Sequence, residues 1–406
     1  MGWRKRAAPA PGNCQGPLPR NRATGQERGH WSSTNSGTTP CRFEGACAAS
    51  IRRSTLFVWG LCMKRSEIIS VIEKTALPAS AAQWDRSGMQ VAGQDGKAHG
   101  LAVCLDPTPA AVAAALDLDA DVILSHHPLA LSPRPLDALD DHHAVASALL
   151  ARGAWLYAAH TSLDANPDGP VGWLARELEL SGATVLEPTL RQERVTRCIV
   201  SGGAPDPRWA DIDGVLACRV LGATAVLTCE AVAWPAIRAA IVSAASSDVG
   251  PAFLPAEPEL PPRVFGFGLV GDLPAPLEFS AFAARLHALA GRAHCHVSGP
   301  VPPVVRRVGY CTGSGSSLAD AAFALGADVF VTGDVKYHTA LEARGCLLDV
   351  GHFALEEEMM RRFADSLRAA LPGLPVHFLP SSDPLRLHLS ATPTGAGGGR
   401  VPEHPV

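Results

Sequence analysis

From residue 63 onward the apolar positions follow two periods. Ile68, Ile69, Ile72 and Leu77 recur at helical spacing, the signature of a helix with one buried face. Asp121-Val122-Ile123-Leu124-Ser125 is short, β-branched and apolar, which reads as a buried strand. Residues 353–370 return to a helical pattern. A shift of 207 residues lays Leu101 to Leu124 on Val308 to Val331 without a gap. Cys104 falls on Cys311, and Leu118-Asp119-Ala120-Asp121-Val122 falls on Leu325-Gly326-Ala327-Asp328-Val329. Both segments read strand, helix, strand. At a slightly different offset, residues 153–160 match residues 345–352, each ending in a histidine with an acid four residues later: His160 with Asp164, and His352 with Glu356. The pattern therefore predicts an α/β protein of two similar βαβαβ-type halves, an internal repeat. The stretch 194–262 interrupts it. There Val215–Val220 and Ala223–Cys229 read as strands, Trp234–Ile241 as a helix, and Pro251 to Pro262 as a stiff exit linker.

The chemistry sits at predicted strand ends. His126-His127 leaves the strand 121–125 and is closed by Pro128. Open α/β sheets place ligands beyond the carboxyl ends of their strands, and imidazole is the commonest protein ligand for divalent metals. Alone, the doublet reads equally as two turn histidines on a surface loop. His352 and Glu356 lie one helical turn apart and share a face; alone, they read as a helix-start ion pair. Together, two facing halves would bring His126, His127, His160, Asp164, His352 and Glu356 to one cleft. Asp334 and Asp349 are weaker candidates, suited to orienting ligands or capping helices. Lys336 reads as an anion ligand or as a surface lysine. Cys295, between His294 and His296, reads as packing or surface, because alternate strand residues face opposite ways.

Composition changes the picture at the ends. Residues 1–62 hold nine Lys/Arg and two Asp/Glu, leaving 26 basic and 37 acidic residues after them. The leader lacks periodicity. It reads as disordered or as sequence upstream of a true start at Met63, with an Arg-rich transit peptide as the alternative. The tail 391–406 is glycine-rich and reads as disordered. The expected division is 1–62, a first half 63–193, a small inserted α+β domain 194–262, a second half 263–390, and the tail. A net charge of −4 argues against a general nucleic-acid binder. No apolar run reaches the roughly 20 residues of a membrane span, and eleven cysteines without a Cys-x-x-Cys pair point to reduced thiols in the cytoplasm.

Several segments resemble the Nif-three-like family, often labelled GTP cyclohydrolase 1 type 2 homologues or dinuclear-metal-centre hexameric proteins. They are Met63–Ile69 with Gln83-Trp84-Asp85-Arg86-Ser87-Gly88-Met89-Gln90, Leu124–Leu129, His160-Thr161-Ser162-Leu163-Asp164-Ala165, Gly333–His338, and Asp349–Glu356. They cover roughly 63–190 and 264–380. The resemblance implies a three-layer α/β/α architecture in two similar halves, with 194–262 a shortened ferredoxin-like insert, assembled as a homohexamer with metal sites facing its interior. It implies His126, His127, Asp164, His352 and Glu356 as ligands of two divalent ions per subunit, of Zn, Fe, Mn, Co or Ni, with His160 at the family's site-adjacent histidine; in a hydrolase that imidazole is suited to shuttle a proton. Arg86 and Ser162 stand where the family commonly has asparagine. The function expected is metal-dependent hydrolysis of a small molecule, in the label's form a ring-opening hydrolysis of a purine nucleotide. The alternative is a metal-binding, metal-delivery or regulatory scaffold protein without turnover.

Overall fold

The computed structural model describes residues 63–201, 203–244, 250–256 and 261–388. The leader 1–62 and the tail 391–406 lie outside these residues. In chain order the first half runs α1 (Arg65–Thr75), β1 (Gly88–Val91), β2 (Leu101–Cys104), α2 (Pro109–Asp117), β3 (Val122–Ser125), α3 (Asp141–Arg152), β4 (Trp155–Ala158), α4 (Thr161–Asp164) and α5 (Trp173–Glu177). Next come β5 (Ser181–Gln192), β6 (Arg194–Val200), β7 (Val215–Leu221), β8 (Thr224–Glu230), α6 (Trp234–Ala244) and β9 (Ala252–Pro255). The remainder is β10 (Arg263–Glu278), α7 (Phe279–Ala290), β11 (His296–Ser298), β12 (Val304–Tyr310), α8 (Ala319–Ala324), β13 (Val329–Thr332), α9 (Tyr337–Leu341), β14 (Cys346–Asp349), α10 (His352–Ala370) and β15 (Val376–Phe378).

Local chemistry sets several boundaries. Thr108 caps α2 by accepting from the Ala111 amide, with Pro109 in the first turn. Asp140 caps α3 in the same way, through the His143 amide, and Gly153 ends it in the left-handed conformation.

The architecture is mixed α/β with sheets sandwiched by helices. One sheet has the order β1-β4-β3-β2-β15, and another has β11-β14-β13-β12-β10-β5. In the first, β2, β3 and β4 are parallel; in the second, β12, β13 and β14 are parallel. Leu101 pairs with Val122 and Val308 pairs with Val329, so residues related by the 207-residue shift occupy the same register. Alternate strand residues face opposite ways, and β2, β3, β4 and β13 are buried on both faces along their whole length. Ala102, Ile123 and Leu156 pack outward on α2 and α3, and Phe330 and Leu347 pack outward on α8. The inner faces meet one continuous core to which α1, α5, α7 and α10 contribute. The middle helical layer thus serves both sheets.

Residues 194–255 make a separate antiparallel sheet, β7-β8-β6-β9, with its own core against Ile237 and Ile241 of α6. Its order is fourth, first, third, second, that of a ferredoxin-like unit whose first helix is reduced to a short turn at Pro207–Asp211. The proline-rich exit was expected as linker throughout, yet Ala252–Pro255 is a strand. It lies at the sheet edge, paired only to β6, where proline's missing N–H breaks no ladder. The longest pairing among the described residues was not anticipated either: β5 and β10 form a ribbon joining this small sheet to the large one.

Asp121, at the entry of β3, ties three segments together. It accepts from Arg65 Nε and Nη2 at 3.1 and 2.9 Å and from the His99 amide at 3.0 Å. Burial works against its charge, but the His99 amide and the Arg65 guanidinium outweigh that and hold the carboxyl below its usual range. A depressed carboxylate stabilises the fold above its unfolded pKa, about 3.9, and the contribution fades as pH falls through the lower folded value. Asp121→Asn should cost about 1–3 kcal/mol near neutrality and flatten the loss of stability below about pH 4. An unchanged acid profile in urea titrations would rule Asp121 out as its source.

Candidate metal centre

The site forms where the parallel strands of both sheets end. The backbone of the doublet is fixed first: the His126 and His127 amides donate to the carbonyls of Cys104 and Leu105 leaving β2, and Ser125 Oγ donates to the His127 carbonyl at 2.7 Å. Each imidazole is then oriented through its Nδ1. That atom lies 2.9 Å from the Ala159 carbonyl in His126, 2.7 Å from Asp106 in His127, 2.7 Å from Asp85 in His160 and 2.8 Å from Asp334 in His352. A carbonyl only accepts, so His126 carries a proton on Nδ1 and turns its Nε2 to the centre. Carboxylates or carbonyls behind metal-binding histidines do this job generally.

Glu356, one turn into α10 and 3% exposed, stands in the middle. Its Oε1 lies 3.5 Å from His126 Nε2, which is 3.7 Å from Asp164 Oδ2. Its Oε2 lies 3.2 Å from His127 Nε2 and 2.8 Å from His352 Nε2. The two carboxylate oxygens thus address two sets of donors. Thr312, just after β12, donates to the other Asp164 oxygen at 3.2 Å. Burial pushes the Asp164 carboxyl up, against the pull of His126. Glu356 is held well below the carboxylate range; its own burial opposes this, but the surrounding imidazoles prevail. His127 is half-buried; its partial burial works against the charge, yet Asp106 and Glu356 push it up to about 10, and Glu356 and Asp334 push His352 up to about 9 against burial. These shifts express one fact: buried carboxylates here demand cationic partners.

The donor set fits a divalent metal ion. Three groups, His126-His127-His160, His127-His352-Glu356 and His126-Asp164-Glu356, each bring their ligand atoms within 4.8 Å of one another. His126 Nε2, His352 Nε2 and Glu356 Oε2 are buried with no acceptable hydrogen bond, although the last two are close in distance; buried polar atoms rarely go unpaired. Nitrogen and oxygen donors of this kind suit first-row divalent ions.

Two glycines make room. A Cβ on Gly313 would collide with Glu356 Oε1, and one on Gly333 would collide with the His352 backbone. Gly313 also holds φ +60, unfavourable for alanine by about 1–2 kcal/mol. Gly313→Ala should therefore displace Glu356 and lower metal affinity by about tenfold or more, with the fold retained by circular dichroism. Unaltered affinity would mean that Glu356 is not held where the structure puts it.

All six site residues expected from the sequence come together here. Asp334 orients His352. Asp349 instead accepts from the amides of Val335 and Gly351 and shapes the turn into α10. Lys336 is exposed and does not line the cavity in front of the centre; Arg86 and Ser162 do not line it either. Cys295 contacts His287 Nε2 at 3.2 Å and joins none of the ligand groups. Sequence reasoning missed Asp106 and Thr312 altogether, and gave Asp85 no role. Only the Trp-Asp dipeptide within a recognisable segment marked Asp85; for Asp106 the available signal was its place directly after β2. Asp85 accepts from Thr161 N and Oγ1 and from Ser87 Oγ as well as facing His160, and these bonds outweigh burial to hold it far below its usual range. The cavity measures about 610 Å³ and includes Trp84, His160, Glu187, Phe267, Thr312 and Leu318 in its wall.

The family model Duf34/NIF3 (NGG1p interacting factor 3) matches residues 63–384. A Mycobacterium leprae protein named GTP cyclohydrolase 1 type 2 homolog is 28% identical over 349 residues, 75% of this chain and 90% of its own. A Streptomyces coelicolor protein of the same name is 26% identical, covering 82% and 98%. Among solved structures, a Bacillus cereus protein related to NIF3 superposes with a TM-score of 0.64 at 22% identity, covering 80% of this chain and all of that one. Reduced HcgD from Methanocaldococcus jannaschii gives 0.53 at 20%, covering 78% and 98%. At these identities the structural matches speak to the fold.

Proposed function

This chain belongs to the Duf34/NIF3 family, and from that premise we propose that it binds two divalent metal ions and hydrolyses a small molecule beside them. The observation that carries the reading is the division of Glu356: Oε1 faces His126 and Asp164, while Oε2 faces His127 and His352. Those five residues would hold the ions, of Zn, Fe, Mn, Co or Ni. When bound, such ions supply Lewis acidity and bring the pKa of water towards neutrality. Asp85 pins His160 through Nδ1, which leaves Nε2 to take a proton from water and return it to a leaving group. The name carried by the curated relatives supports a ring-opening hydrolysis as the reaction class.

A cavity of about 610 Å³ in front of the centre, with room for a small molecule beside the ligands, favours turnover over simple metal carriage. Metal analysis of the purified protein, followed by a hydrolysis screen with His127→Ala as control, tests this. A wild type that holds two ions and turns over a substrate, beside a variant that loses both properties, is the expected result. Metal that exchanges readily with no turnover across the screen would favour delivery instead, and full metal loading of His127→Ala would overturn the site. The assembly is proposed as a homohexamer on family resemblance; light scattering that returns a monomer would exclude it. No described helix is long and apolar enough to cross a membrane. The described cysteines are all free thiols, which supports a reducing compartment such as the cytoplasm.

A further inference from the structure

The cavity wall has a chemical bias that the relatives' name does not convey. Among the described residues that line it there is no lysine or arginine. Its carboxylate outside the centre is Glu187, on β5, whose side chain makes no hydrogen bond or ion pair among the described residues. Nor does the centre itself offer surplus positive charge. Two divalent ions would bring four charges, against which stand the carboxylates of Asp164 and Glu356 and, behind the histidines, those of Asp85, Asp106 and Asp334. A triphosphate entering here would meet Glu187 with no lysine or arginine in the wall to receive it, and like charges brought together without compensation are costly.

The rest of the wall suits a flat ring. Trp84 is 63% exposed at the cavity, which leaves most of its indole open to a ligand. The His160 ring meets it nearly perpendicularly, with centroids 5.9 Å apart, which fixes the indole while leaving most of its surface free. Phe267, Pro188 and Leu318 continue the apolar lining. Pockets of several hundred Å³ with apolar walls and a few placed polar groups bind small molecules, and indole faces stack readily on heterocycles.

We infer that the cavity selects a flat nitrogen heterocycle, uncharged or cationic, that stacks on Trp84 and presents N–H donors to Glu187, in preference to its phosphorylated nucleotide. The inference deepens the hydrolase reading and rests on it only for placing the reacting atom; the binding preference comes from the wall. The test is equilibrium binding of guanosine and of GTP to the full chain, metal-loaded and chelator-treated, with metal content measured in each sample. Guanosine is expected to bind both forms, and GTP at least about tenfold more weakly. Trp84→Ala should lower guanosine affinity by about tenfold, Glu187→Gln by a similar factor through loss of a charged acceptor, and neither should change metal content. Glu187→Lys should narrow the gap between the two probes. GTP binding as tightly as guanosine, no guanosine binding in either form, or variants that leave affinity unmoved would each overturn the inference. Failure to take up metal, with the guanosine preference intact, would defeat the two-metal reading and leave this one standing.

Discussion

Glu356→Gln is expected to lower metal affinity by more than the ~10–100-fold typical of losing a group behind a ligand. The amide keeps the size and reach of the carboxylate but removes its charge and makes one of its two ends a donor. In the folded protein that end would have to face either His126 Nε2 or the pair His127 Nε2 and His352 Nε2. Either choice takes an anionic oxygen away from one of the two donor sets. Asp164 remains as a carboxylate for one set, whereas His127 and His352 keep only Asp106 and Asp334, which bind their far nitrogens. Metal content by elemental analysis, across a series of free-metal concentrations, is the measurement. A variant that loads like the wild type would show that Glu356 is a structural partner of the histidines and not a ligand.

The second large effect is on stability and lies under the site. Trp173 is fully buried at the start of α5, its Nε1 donates to the Leu355 carbonyl at 3.1 Å, and the Arg362 guanidinium sits over its ring. It therefore joins the first half of the chain to the helix that carries His352 and Glu356. Trp173→Ala should cost about 3–5 kcal/mol through lost burial and the cavity left behind. Trp173→Phe, which keeps most of the volume but not the N–H, should cost closer to 1–3 kcal/mol, the usual penalty for leaving a buried carbonyl unpaired. Denaturant midpoints measure both. Because Leu355 precedes Glu356, the alanine variant should also bind metal more weakly; a variant that unfolds earlier yet binds metal normally would mean that α10 is positioned by its other contacts alone.

How much of this was legible in the chain follows from distance along it. His126-His127 is local, and its strand end is readable from five residues. The pairs His160/Asp164 and His352/Glu356 are local too, and the shared spacing drew attention to both. The groups that orient these imidazoles are not local: Asp85 precedes His160 by 75 residues, and Asp106 precedes His127 by 21. Neither has a period or a motif that reports its partner. The ribbon of β5 and β10 was hidden for another reason. Most of Ser181–Gln192 is exposed or half-buried without clean alternation, so no face is written into its hydrophobic pattern. Trp84 and Glu187 were likewise unreadable as neighbours, since one belongs to an irregular segment and the other to that ribbon.

The sequence by itself determined the class of fold, the parallel strand–helix–strand segments in each half, and the identities of the six residues at the centre. Each of these is encoded by local periodicity or by a spacing of a few residues, where burial of one face leaves a repeated mark. Only the tertiary structure decided that Glu356 splits its oxygens between two donor sets, that all four histidines of the centre have their rear nitrogens occupied, and that the cavity before them is aromatic, acidic at Glu187 and without a described lysine or arginine. Those features arise where strands from distant parts of the chain end side by side, and a side chain's partners there are set by packing rather than by sequence neighbours.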